Sequence, residues 1–205
     1  MVAVSDESRR NAIPPLAGED HACAECGLSY PALTIEAAAA IIASLPGAVD
    51  AAIEDAGPPD LRHRPRPDHW SALEYLVHLR DVCVTYTIRL HRARTEDQPV
   101  LEPMLNDLRA RRFRYNDRSF DGVRDELAAC AAGLGYEIER LTPPDLERTV
   151  TRLPGEHRTA RWLVRQAAHE VTHHLEDIRS CLTEAALRPP LPGADRNRHR
   201  ARDSG

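Results

Sequence analysis

Four stretches of this chain repeat apolar residues every three to four positions, and proline, glycine or short polar residues bracket them; that pattern restricts the fold to helices packed on helices. The first, about 34–56, opens on Thr34 as an N-cap, carries Ile35, Ile42, Leu45, Val49 and Ile53, and stops at Gly57-Pro58-Pro59. The second runs from about Asp68, a candidate cap, to Arg94. It has Leu73, Leu76, Val77 and Val84 on one side and Tyr75, Leu79, Val82 and Tyr86 on the other, which predicts a central helix. The third, about 120–141, is alanine-rich and ends at Pro143-Pro144. The fourth, about 157–187, has a stripe of Leu163, Ala167, Val171, Leu175, Ile178 and Leu182. A connection of about 95–118, with Pro99, Pro103 and room for one short helix, suits a crossover better than a hairpin. With no clear strand run, the expected fold is an all-α four-helix bundle with a long crossover connection between helices 2 and 3.

A chain of 205 residues that is 42% hydrophobic supports one sizeable core. Residues 1–20 read as a flexible arm, 21–187 as the bundle domain and 188–205 as a disordered tail. A net charge of −5 gives no broad attraction to nucleic acid or an anionic membrane. No apolar run approaches the roughly 18 to 20 residues that span a bilayer. The charged start (Asp6, Glu7, Arg9, Arg10) is unlike a signal peptide, and five cysteines do not read as a secreted disulfide scaffold, so the expected location is cytoplasmic. All 27 basic residues are arginine, which, with the heavy use of alanine, reads as the codon bias of a GC-rich bacterial genome.

The chemistry is concentrated in Ala168-His169-Glu170-Val171-Thr172-His173-His174-Leu175-Glu176-Asp177-Ile178. On a helix His169 and His173 lie about 40° apart, one turn above each other, so both imidazoles can converge on one ion. His174 sits about 100° beyond His173, on a different line. Ten histidines in the chain make such a pair unremarkable alone, but this one is mid-helix beside the apolar stripe, and His78 is mid-helix beside Tyr75, Leu79 and Val82. A metal shared by buried imidazoles satisfies all of them at once. His169-Glu170-x-x-His173 also matches the zinc-peptidase motif, with Glu170 as general base. The longer form of that motif is absent, since Glu176 and Arg179 occupy its further positions, and no sheet edge is evident to hold a peptide.

Three segments in order resemble the DinB/YfiT-like family: Cys23-Ala24-Glu25-Cys26-Gly27-Leu28, the run from Trp70-Ser71-Ala72-Leu73-Glu74-Tyr75 through His78 to Arg80-Asp81-Val82, and His169 to Ile178. The likeness spans about residues 20–185. It implies a four-helix bundle with a three-histidine site for one divalent ion, zinc or nickel, with His78, His169 and His173 as ligands. It also implies a transferase or isomerase that uses a low-molecular-weight thiol such as mycothiol. Glu170 departs from the family pattern, which leaves its role as base, outer carboxylate or helix surface open. A metal-dependent hydrolase, or a helical stress protein with a structural metal, are the competing readings. Three neutral ligands leave the ion a free position, the pattern of a catalytic site.

Glu74 and Asp81 flank His78 and are candidates to orient its ring. Arg109, Arg111, Arg112 and Arg114 read as a solvated helix face, the alternative being a site for a carboxylated or phosphorylated substrate. Cys23-x-x-Cys26-Gly27 is half a zinc knuckle, a second metal site in outline, with His21 the nearest further ligand. Cys130 and Cys181 read as plain buried thiols. The expected partner is a small-molecule substrate, with no nucleic acid and no membrane; a homodimer is left open.

Overall fold

The computed structural model describes residue 13, residues 15–153 and residues 155–187. The expected tail over 188–205 and nearly all of the arm up to residue 14 lie outside the described residues. Four long helices form the bundle: α1 (Ile35–Ile53), α3 (Ala72–Thr95), α5 (Phe120–Glu139) and α7 (Ala160–Ala186). Short helices stand between them, α2 (Pro58–Leu61), α4 (Asn106–Arg112) and α6 (Pro143–Leu146), with a 3-10 turn at Tyr115–Asp117.

Each long helix starts where a hydroxyl side chain takes up an orphan backbone N–H. Thr34 accepts from Ala37 N, Ser119 from Gly122 N and Thr159 from Trp162 N. The second long helix begins at Ala72 and not near Asp68, because Ser71 and Glu74 form a reciprocal capping box. The opening Trp70-Ser71-x-x-Glu74 is therefore first a helix start.

The main packing joins α3 to α5 and α7, and α1 to α5 and α7. Consecutive helices α1 and α3 thus face each other across one diagonal, and α5 and α7 across the other. The long connection after α3 leads to a neighbouring helix, so the diagonal crossings fall at 54–71 and 140–159 and not between the second and third bundle helices. α3 is the central helix: Leu73, Leu76, Val77, Leu79, Val82, Tyr86 and Leu90 are all buried. Val84, which the stripe pattern placed inside, is 39% exposed. α1 differs from expectation in another way, being long and apolar enough by length and composition to cross a membrane. Its Ala38, Ile42, Leu45 and Val49 face is buried in the bundle core.

One small sheet interrupts the helices. β1 (Thr149–Thr151) pairs antiparallel with β2 (His157–Thr159), in the register Thr149 opposite Thr159. Three residues per strand are too few to show a period of two, so the sequence pattern ran 157–159 into the helix. The hairpin anchors residues that composition assigned to the arm. Arg158 donates to the carbonyls of Leu16 and Ala17, Trp162 Nε1 donates to Gly18 O, and Thr159 N donates to Glu19 Oε1 at 2.7 Å. Residues 16–19 are consequently part of the folded domain.

Candidate metal centre

Helix α7 presents two adjacent one-turn pairs. Glu170 and His174 face α3, where His78 meets them: His78 Nε2 is 3.3 Å, and His174 Nε2 is 3.1 Å, from Glu170 Oε2. His169 and His173 lie beside Cys23 and Cys26 of the N-terminal loop, and His169 also borders the cavity described below. In each group every residue offers a donor atom within 4.8 Å of the others. The expected trio is therefore divided: His78 lies with Glu170 and His174, whereas His169 and His173 lie with the cysteine pair. His21 is outside that group; its ring meets Tyr30 edge-on and His169 at a tilt, each with 5.2 Å between ring centres.

Sequence spacing could not separate these pairs, because 169/173 and 170/174 are both one turn apart. A signal for the second pair does exist. Asp177, three residues beyond His174, lies 2.8 Å from its Nδ1, which fixes the tautomer that turns Nε2 towards Glu170. That is the orienting role expected of Glu74 or Asp81, and both of those are engaged elsewhere. Glu74 caps α3 and pairs with both guanidinium arms of Arg64. Asp81 accepts from Arg109 Nε at 3.0 Å, Arg109 Nη2 at 2.6 Å and the Tyr115 hydroxyl at 2.5 Å. Of the arginines of the connection, Arg109 is thus a structural partner of α3.

Electrostatics follow from burial and pairing. His78 is 1% exposed, and burial lowers its pKa. Burial also opposes charge on His174, but hydrogen bonds to Asp177 and Glu170 prevail and raise its pKa to about 9. Burial likewise works against an ionised Glu170, yet His174 and His78 together hold it well below the usual carboxylate range. Without metal, then, a Glu170 carboxylate lies against a protonated His174 and a neutral His78. Gln166 completes the group by donating from Nε2 to Glu170 Oε1 at 2.7 Å. These donors fit a divalent ion of the His2Glu type, with Asp177 fixing one ligand from behind.

The group opens onto a cavity of about 870 Å³ between α3, α7, the long connection and the N-terminal segment. Glu170, His174, Gln166 and His169 line its floor, with His78 buried behind them; Trp70 and Met104 are apolar walls, and Arg89 and Arg152 supply positive charge. Arg89 also donates to Glu102 O and Arg152 pairs with Glu156, so both guanidinium groups are held in place.

A helical bundle whose second and fourth long helices bring nitrogen and carboxylate donors together beside one cavity has the form of a metal-site bundle. The DinB superfamily model matches residues 42–178, and the chain belongs to that superfamily. Among solved structures it is similar to YfiT from Bacillus subtilis, described as a probable metal-dependent hydrolase with an unusual four-helix bundle topology. The TM-score is 0.65 at 16% identity, over 85% of this chain and 93% of that one. At that identity the likeness shows the fold. No curated protein matches the chain in sequence.

Proposed function

We propose that this protein is a metal-dependent enzyme that joins a low-molecular-weight thiol, of the mycothiol kind, to a small molecule held in the cavity. One divalent ion, zinc or nickel, is bound by His78, Glu170 and His174. The observation that carries this reading is the convergence of those three side chains beside a cavity of about 870 Å³, which Glu170 and His174 line and which is within the range of small-molecule sites. A divalent ion in such a site is a Lewis acid that makes a thiol or water reaching it more acidic.

The chain's own residues supply the rest. Asp177 and Glu170 set the tautomer and direction of His174. Gln166 holds Glu170 at its other oxygen, so the carboxylate does not rotate out of the group. Trp70 packs edge-on to the His78 ring at 5.2 Å and keeps water from that side. The guanidinium groups of Arg89 and Arg152 suit an anionic part of the substrate or cosubstrate. The zinc-peptidase reading loses its basis in this geometry: Glu170 is bonded to two imidazoles, and His169 and His173 turn towards cysteines.

Hydrolysis without a thiol is the reading that YfiT suggests, and one assay separates the two. Protein loaded with zinc or nickel is incubated with electrophilic acceptors and with ester and amide substrates, each with and without a cysteinyl thiol. Metal-dependent conjugate formation supports the proposal, and thiol-independent hydrolysis alone overturns it. Loss of both activities in Glu170→Gln and His174→Ala, with the fold intact by circular dichroism, ties either reaction to this site.

A further inference from the structure

Cys23 and Cys26 lie on the loop closed by the Ala22–Ser29 bridge, far in sequence from α7. The backbone folds back tightly there: Gly27 N donates to Cys23 O at 3.0 Å, and Gly27 adopts φ +73°, a left-handed conformation that favours glycine. Both thiols are free, and their sulfur atoms face one imidazole nitrogen each from His169 and His173, all four donors within 4.8 Å of one another.

The two histidines are oriented for ligation. Tyr30 is fully buried; its hydroxyl donates to Gln166 Oε1 and lies 3.1 Å from His169 Nδ1, from which it can only accept. His169 therefore carries its proton on Nδ1 and presents the lone pair of Nε2. That Nε2 is buried and has no hydrogen-bond partner among the described residues. A buried nitrogen lone pair left unmatched is costly, and a metal ion would satisfy it. His173 is held from its far side: Nε2 is 3.3 Å from the Glu25 carboxylate, and Nδ1 is 3.6 Å from Cys23 Sγ. Zinc bonds of about 2.3 Å to sulfur and 2.0–2.1 Å to nitrogen, at a tetrahedral angle, place those two atoms about 3.5 to 3.6 Å apart.

We infer that Cys23, Cys26, His169 and His173 form a closed four-ligand site for zinc, separate from the cavity-floor group, which clasps the N-terminal loop to the middle of α7. Two thiolates and two neutral imidazoles cancel the charge of the ion, which suits a half-buried position. On binding, each thiol gives its proton to solvent as the sulfur–zinc bond forms. Four protein ligands leave no position for substrate, so this ion is structural. Glu25, between the two cysteines, keeps His173 Nδ1 turned inward.

The test uses the full chain. Purified protein loaded with cobalt should show a thiolate-to-metal charge-transfer band, and X-ray absorption of the zinc form of His78→Ala, whose cavity-floor group is removed, should give sulfur and nitrogen scatterers in equal number. The band should be retained in His78→Ala, which removes only the cavity-floor group, and should be lost in Cys23→Ser and in His169→Ala. Cobalt binding without such a band, or an undiminished band in Cys23→Ser, overturns the inference. If the cysteine or histidine variants do not fold, the wild-type protein decides the matter: titration with a mercurial should release one zinc for every two thiols modified. A zinc content that does not fall once both thiols have reacted overturns it equally. Because His78→Ala leaves this site whole, its failure is distinguishable from failure of the catalytic reading.

Discussion

Gln166 donates its amide hydrogen to Glu170 at 2.7 Å while its carbonyl oxygen accepts from the Tyr30 hydroxyl. Through that one side chain the two donor groups of α7 are joined, since Tyr30 also touches His169. A continuous run of hydrogen bonds thus leads from His169 through Tyr30 and Gln166 to the Glu170 carboxylate on the cavity floor.

Asp177 is the simplest part of this arrangement to remove. Asp177→Asn keeps the size of the side chain but loses the charge behind His174 Nδ1. Metal affinity at the cavity-floor site is expected to fall by about 10- to 100-fold, the usual effect of losing an outer carboxylate. Competition with a chelator of known affinity measures it. An unchanged affinity would show that Asp177 only caps a charge on the helix surface.

The bundle was legible in the sequence because its helices obey local rules. Thr34 caps as its position suggests, and Ser71 with Glu74 forms a capping box that the order Ser-x-x-Glu already spells out. The donor groups were only half legible. A one-turn spacing puts two side chains on one line of a helix, but the rotation of that helix decides what each line faces. Here Trp162, bonded to Gly18, and the β1–β2 hairpin at the start of α7 help to set that rotation. The first of these joins residues 144 positions apart, and the strands of the second are too short to show in the pattern. Two clues were present all the same. Cys23-x-x-Cys26 lacks two ligands, and a histidine pair one turn apart supplies two; Asp177 stands where a carboxylate can back His174.

Metal uptake by the cavity-floor site should depend on pH with a definite sign. In the metal-free protein His174 has a pKa raised to about 9, against an ordinary 6.5. Its charged form therefore stabilises the metal-free fold fully below about 6.5, and that contribution is lost as pH rises through about 9. A metal ion needs the neutral imidazole and must displace this proton. His78, whose pKa burial lowers, has no proton to release over the same range. Affinity should then rise about tenfold per pH unit between about 6.5 and 9, with one proton released per ion. Calorimetry in buffers of different ionisation enthalpy, on protein lacking Cys23 and Cys26, reads that proton directly. A flat affinity across this range would refute the pairing of His174 with Glu170 and Asp177.

The arginine-rich connection gives a prediction about stability alone. Asp81 is 4% exposed and holds Arg109 and Tyr115, which fasten α4 and the 3-10 turn to α3. Asp81→Ala leaves the Tyr115 hydroxyl without its acceptor and should cost about 2 kcal/mol, a modest figure because Arg109 is partly exposed and can turn to water. Urea denaturation measures the loss, and the metal content of the folded protein should not change. A fall in metal content without a loss of stability would move Asp81 into the metal site.

Thiol reactivity should separate the cysteines by position. Burial pushes the Cys83 thiol up to about 12 and that of Cys181 up to about 11. At pH 8 their thiolate fractions are about one in a thousand or less, so iodoacetamide should leave both untouched in the folded protein. Cys23 is lowered, first by the backbone N–H of Cys26, while burial raises Cys26. After zinc removal the order of labelling by peptide mass spectrometry should be Cys23 before Cys26, with Cys83 and Cys181 modified only on unfolding. Early labelling of Cys83 would show that the centre of α3 opens readily.

The last prediction returns to Gln166. Gln166→Met retains most of the volume but can neither donate to Glu170 nor accept from Tyr30. Glu170 then loses the bond at Oε1 that opposes its rotation, while Oε2 keeps its contacts with both imidazoles. Affinity at the cavity-floor site should drop by about tenfold, within the range for lost outer hydrogen bonds. The cysteine site should keep its ion and its charge-transfer band, because Tyr30 can still accept from His169 Nδ1 after its own donor bond is lost. The cobalt spectrum at two metal equivalents reads both effects in one sample. If the variant loses the cysteine-site band and leaves the cavity-floor affinity intact, Gln166 supports Tyr30 and His169 alone, and the two groups of α7 are independent.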